Sequence, residues 1–203
     1  VKNKIKRGLR VSKYIIYKET LVDYREHFWS FFGAFFGIGL IAFFQSYSLS
    51  KYENVFLIGS FGASGVLIFG AIQSPMAQPR NLIGGHLISA IIGVTIYKIL
   101  PDIIWLTAPL AVALSIVMMQ ITKTLHPPGG ATALIAVIGP EKIKVLGYSY
   151  VLSPVLTGAI IPFIVALIFN NVTPHRKYPT NKKFTNSFKK MFIKRNRYTD
   201  ISE

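Results

Sequence analysis

The stretch "TKTLHPPGGATALIAVIGPE", Thr122 to Glu141, decides how the chain is read. Two prolines and two glycines stand between apolar runs, with a histidine directly before them. Pro127 disfavours helical geometry at His126, and Pro128 does the same to Pro127. Neither proline has an N–H to donate. Gly129 and Gly130 leave room for a close approach to the backbone. The run "ATALIAVIG" then reads as a helix from Ala131 that stops at Gly139-Pro140.

The surroundings of this break are apolar. The hydrophobic fraction of the 203 residues is 51%, against 15% charged, and the mean hydropathy is +0.44. Apolar residues come in long blocks, and a bilayer-spanning helix needs about 20 of them. Net charge is +15, but it is concentrated at the ends. Lys2, Lys4, Lys6, Arg7, Arg10, Lys13 and Lys18 crowd the start; Arg176, Lys177, Lys182, Lys183, Lys189, Lys190, Lys194, Arg195 and Arg197 crowd the end. Basic flanks around an uncharged middle are what cytoplasmic ends of a membrane protein look like. Anionic lipid of the inner leaflet is their expected partner; nucleic acid is not. The chain has no cysteine, so disulfides and thiolate metal sites are excluded.

The blocks set the organisation. Residues 1–27 read as a basic cytoplasmic segment, with Tyr14, Leu21 and Tyr24 spaced for an interfacial helix. Residues 28–170 form the transmembrane part, and 171–203 a basic cytoplasmic tail with little fixed structure. Clear apolar blocks run over 28–49, 55–72, 82–100, 103–121 and 150–170. In the first, Gly33 and Gly37 make a small-xxx-small pair for close helix contact. In the second, Ser60 and Ser64 lie among glycines that serve either tight packing or a broken helix offering backbone to a ligand. Pro154 and Pro162 are expected to kink the last.

If both basic ends are cytoplasmic, the number of crossings is even, so His126 to Gly139 must supply one. As an extended "HPPGG" followed by nine helical residues it would reach about 30 Å, at roughly 3.2 Å and 1.5 Å per residue. The rival geometry is a loop that re-enters on one face. The expected fold is all-α: a polytopic transmembrane helix bundle of about six crossings, one or two made by broken or short helices.

Between Phe28 and Asn170 the only acids are Glu53, Asp102 and Glu141, all in expected loops. A carboxylate-based cation or proton site lacks its parts. No HExxH or GxSxG string occurs; no enzyme, cofactor or metal ion is expected. What remains is a polar site without negative side chains: His86, His126, Ser60, Ser64, Thr124, Thr132 and backbone N–H groups over Gly129, Gly130 and Ala131. A helix start at mid-membrane suits an anion, and Arg80 and Lys123 at a mouth would attract one. Plainer roles stand beside these. His126 and His86 could bridge helices, Arg80 could anchor at the interface, and Thr132 could bond to its own turn.

Three phrases in order, "GSFGASGVLIFGA" (Gly59 to Ala71), "SPMAQPRNLIGGHLISAIIGV" (Ser74 to Val94) and "KTLHPPGGATALIAVIG" (Lys123 to Gly139), resemble the HPP family of integral membrane proteins. The family takes its name from the His-Pro-Pro found here at His126 to Pro128. The resemblance implies nitrite transport, the role described for cyanobacterial and chloroplast members. It also implies that Gly62, Ala63 and Ser64, then Pro75, Gln78, Pro79, Arg80 and Asn81, then Gly85 and His86, and last His126 to Thr132 are the matching positions. Ile72 stands where many relatives have proline, and Gly129 where alanine is common. The expected function is therefore transport of a small inorganic anion, nitrite first, across the plasma or inner membrane, by a dimer or trimer. A non-transporting membrane assembly protein and a transporter of another solute, such as a cation, are the alternatives.

Overall fold

The protein is described by a computed structural model over residues 24–46 and 59–180. The expected N-terminal interfacial helix, the facing ends of the first two blocks and the chain beyond Thr180 lie outside the described residues.

Among the described residues there is helix and no strand. The helices are α1 (Tyr24–Ser46), α2 (Gly59–Gly70), α3 (Pro79–Ile99), α4 (Ile104–Ile121), α5 (Pro127–Ile138), the short α6 (Glu141–Val145) and α7 (Val151–Phe169). α1, α3, α4 and α7 are long and apolar enough to cross a membrane; α2 and α5 are apolar but shorter.

Prolines set several of these boundaries. Pro79 opens α3 behind Gln78, which is extended. At the first helical position a missing N–H costs nothing, because that group has no partner within the helix. The same logic corrects the expectation for the opening stretch. α5 begins at Pro127, not at Ala131, and only His126 is extended, at φ −139 and ψ 104. The steric bias before proline is obeyed at His126 and overridden at Pro127, whose own ring already supplies a helical φ. Twelve helical residues span only about 18 Å, so α5 alone does not cross about 30 Å of hydrocarbon. The helix ends at Gly139-Pro140, as the sequence suggests, and α6 follows. In α7, Ser153 is extended before Pro154 and breaks the first turns, while Pro162 stays buried within the helix.

The six apolar helices alternate in direction. The Phe69 ring of α2 lies across Gly33 and Gly37 of α1, where a Cβ on Gly37 would stand 2.9 Å from it. Ile41, Phe61 and Ala159 then join α1, α2 and α7 into one group of three. α3, α4 and α5 form the other. Gly93 of α3 sits so close to α5 that a Cβ would come within 2.5 Å of the Ala133 carbonyl oxygen. Gly129 does the same towards Ser89, at 2.7 Å. Lipid chains are as apolar as leucine, so such close backbone contacts, not water exclusion, hold membrane helices together. The two groups meet at an apolar contact of Tyr150, Val151 and Val155 with Ala90, Val94, Ile135 and Ala136. They meet again at the polar cluster described below. Phe31, Phe35, Phe43 and Phe44 of α1 and Trp105, Ile116 and Val117 of α4 point outward, as side chains facing lipid do.

Residues 171–180 are not the loose tail expected. Arg176 is buried and donates to the Phe69 carbonyl at 2.7 Å and to Asn170 Oδ1 at 2.9 Å; it also pairs with Glu26 at 3.0 Å. Asn170 Nδ2 donates to the Ile68 carbonyl at 2.7 Å. The open carbonyls at the end of α2 are thus capped by side chains from beyond α7. Burial lowers the pKa of Arg176, and the Glu26 carboxylate opposes that shift. The Tyr178 hydroxyl donates to the Ala77 carbonyl at 2.8 Å, and burial raises its pKa, keeping it a neutral donor. The Arg176–Glu26 pair puts the start of α1 and the chain after α7 on one face. Lys144 pairs with Asp102 at 3.3 Å on the opposite one.

Candidate functional site

Five side chains named from the sequence meet in the interior. Ser60 and Ser64 come from α2, His86 from α3, and His126 and Thr132 from the start of α5. All five are buried. Ser60 and Ser64 are one helical turn apart on α2, so both hydroxyls face the same way. His86 lies seven residues into α3, about 10 Å along a helix of about 31 Å.

The bonds form a continuous chain. Ser60 Oγ lies 2.9 Å from Thr132 Oγ1, and Thr132 Oγ1 lies 2.7 Å from His86 Nδ1. His86 Nε2 is 2.8 Å from Ser64 Oγ, which is 2.9 Å from His126 Nε2. His126 Nδ1 ends the chain 2.9 Å from the Met76 carbonyl oxygen. Ser60 Oγ also donates to the Pro128 carbonyl at 3.0 Å. The two imidazole rings are 5.0 Å apart, and Phe61 packs against His86 at 4.9 Å. Gly85 makes the site possible, because a Cβ there would collide with His126 Cβ. Each polar atom of the five has a partner; among the described residues only Ser115 Oγ, Thr173 Oγ1 and Arg176 Nε are buried without one.

Residues 19–179 match the transmembrane region of the HPP family. The chain belongs to the HPP family. Two Dictyostelium discoideum proteins described as transmembrane proteins are similar to it. One is 45% identical over 77% of this chain and 51% of its own length; the other is 44% identical over 80% and 58%. The chain therefore spans little more than half the length of the curated relatives it matches. No solved structure matches it.

The remaining positions expected of an HPP site lie outside the cluster. Arg80 is exposed and donates to the Thr122 carbonyl at 2.7 Å; Asn81 donates to the Leu125 carbonyl at 2.8 Å. Thr124 bonds Thr122 Oγ1 at 2.8 Å and lays its methyl on Gly84. These three bracket the turn that delivers His126. Gly129 packs on Gly85 and Ser89, and Gly130 faces Val112. The free amides expected at this helix start are not there. Pro127 and Pro128 have none, and the Gly129 N–H donates to the His126 carbonyl at 2.8 Å. Gly130 and Ala131 lie far enough into the helix for ordinary backbone pairing. Among the described residues no group of three His, Asp or Glu side chains could hold a metal ion. Sequence reasoning missed the Met76 carbonyl, for which no residue-type signal exists. It also missed Tyr150, whose hydroxyl donates to the Thr132 carbonyl at 3.0 Å. A lone phenol opening an otherwise apolar block was the available clue.

Proposed function

We propose that this HPP protein moves a small monovalent inorganic anion across the membrane, nitrite first and nitrate or a similar ion next. The observation that carries the reading is a buried cluster made of hydroxyls and imidazoles with no carboxylate. Among the described residues the acids Glu26, Asp102 and Glu141 all stand at or beyond helix ends. An anion needs donors and no repelling charge, and this cluster offers both. The start of α5 adds the positive end of a helix dipole. With its amides absent or engaged, side chains do the binding in place of the backbone. A guest would exchange one internal bond for one of its own, at a net difference of about 1 kcal/mol per bond. Arg80 and Lys123, exposed on the face of the Arg176 strap, would gather anions there. That face is the cytoplasmic one by its charge.

The complete internal pairing of the cluster favours a second reading, a membrane assembly protein whose polar core only fixes helix packing. Flux separates the two. Purified protein in liposomes is offered nitrite, nitrate, formate, chloride and potassium in turn. Nitrite flux above empty vesicles, reduced about tenfold or more in Thr132→Val, is the expected result. Correctly inserted protein that passes none of the five supports the assembly role, and potassium flux alone supports a cation path.

A further inference from the structure

We propose that the chain of side chains from Ser60 to His126 is a one-directional proton path between the bundle interior and the loop at Met76. Its direction follows from the bonding rules of each atom. A carbonyl oxygen only accepts, so His126 Nδ1 carries the hydrogen shared with Met76. In neutral imidazole the other nitrogen then accepts, so Ser64 donates to His126 Nε2. Ser64 has one hydrogen, so towards His86 it is the acceptor, and His86 Nε2 donates. His86 Nδ1 therefore accepts and Thr132 donates to it, so at the first link Ser60 shares its one hydrogen between Thr132 Oγ1 at 2.9 Å and the Pro128 carbonyl at 3.0 Å, a carbonyl that also lies 3.4 Å from Thr132 Oγ1. Each donor along the line meets an acceptor, and the two histidines hold opposite tautomers. Ser64 is also 3.3 Å from the Ser60 carbonyl, a longer contact that competes for the same hydrogen.

Such a line can pass a proton without any group leaving its place. A protonated weak-acid guest at the Ser60 end gives up its proton to the line. Each hydrogen then moves along one bond; His126 is buried, so the hydrogen of its Nδ1 leaves to water only when its bond to the Met76 carbonyl opens towards the loop, where the Met76 residue is exposed. One proton enters, one leaves, and only O–H and N–H bonds change. Afterwards His126 Nδ1 would face the Met76 oxygen lone pair to lone pair, so both imidazoles must exchange tautomers before a second proton can pass; hydrogens stepping back along the line would return the first proton to the Ser60 end. The groups facing the path are uncharged from every side: Phe61 of α2, Met119 and Ser89 near His126, and the Tyr150 phenol at the start of α7. Of the charged side chains of that face, Arg80 bonds the Thr122 carbonyl, Arg176 bonds Phe69 and Glu26, and Lys123 is exposed.

The identity of the guest rests on the transport reading above; the proton movement is measured apart from it. Nitrogen-15 spectra of labelled histidines in nanodiscs at neutral pH are expected to show His126 protonated at Nδ1 and His86 at Nε2. Finding one tautomer at both, or either imidazole charged, overturns the path. Liposomes holding a pH dye, under an imposed potassium diffusion potential, are then followed with and without nitrite. The wild type is expected to speed proton entry about tenfold over empty vesicles in at least one arm. Ser64→Ala is expected to abolish the gain and Ser64→Thr to retain it. Nitrite flux with no proton movement, or proton movement unchanged in Ser64→Ala, overturns the path and leaves the transport reading standing. Proton movement without nitrite flux supports the path and sinks nitrite as the guest. If Ser64→Ala does not fold, the tautomers and the wild-type arms still decide.

Discussion

Ser64 has a single hydroxyl that serves two imidazoles on two other helices, at 2.8 and 2.9 Å. Removing it leaves a buried nitrogen unpaired on each, and an orphaned buried group costs about 1–3 kcal/mol. Ser64→Ala is therefore expected to lower the unfolding temperature in detergent, read by a thermal-shift assay, as well as to stop flux. Arg80→Ala tests the contrary case. Its guanidinium is exposed and touches only a turn, so nitrite uptake is expected to fall mainly through a higher half-saturation concentration. An equal loss of maximal rate would place Arg80 in the path itself. At this scale the sequence was informative because polar side chains are costly in lipid and stand out there. Ser60, Ser64, His86, His126 and Thr132 were legible for that reason. The bracket of Arg80, Asn81 and Thr124 was not told apart from them, because hydrogen bonds to distant carbonyls leave no mark in composition.

The helices themselves were legible from length and apolar content, and the Gly33–Gly37 pair was read correctly as a contact surface, with Phe69 as its occupant. The start of α5 was not. Two adjacent prolines argue for extension, yet the first helical positions tolerate them, and the sequence offers no way to weigh one preference against the other. Glycines separate by neighbour. Gly93→Val is expected to force α3 from α5, since its Cβ would meet backbone at 2.5 Å; overpacking of this kind costs about 1–3 kcal/mol. Gly130→Ala meets nothing nearer than Val112 at 3.7 Å and gains helix propensity. Expression and thermal shift of the pair should move in opposite directions. Equal losses would mean that α5 does not lie against α3 as described.

At the scale of the whole molecule, the Arg176–Glu26 pair sets the start of α1 and the chain after α7 on one face. The chain contains no cysteine, so single cysteines report sidedness without background. Tyr24→Cys and Thr180→Cys are expected to react with a charged thiol reagent from the same side, and Asp102→Cys from the other. Reaction of Tyr24→Cys and Thr180→Cys from opposite sides would refute the even number of passes. Arg176→Met removes the cap that ties α1, α2 and the chain after α7 together; breaking a buried pair on one side costs about 3–5 kcal/mol, and a large drop in detergent stability should follow. The strap was invisible in the sequence because a basic residue among other basic residues reads as solvated. The pairing of Ser60 with Pro128 and Thr132, and of Ser64 with His86 and His126, joins one trio of helices to the other. A hydrogen bond tolerates only a few tenths of an ångström before it weakens. If the trios slide past one another, these links must let go together, so the molecule would behave as a snap fastener with an open and a shut setting.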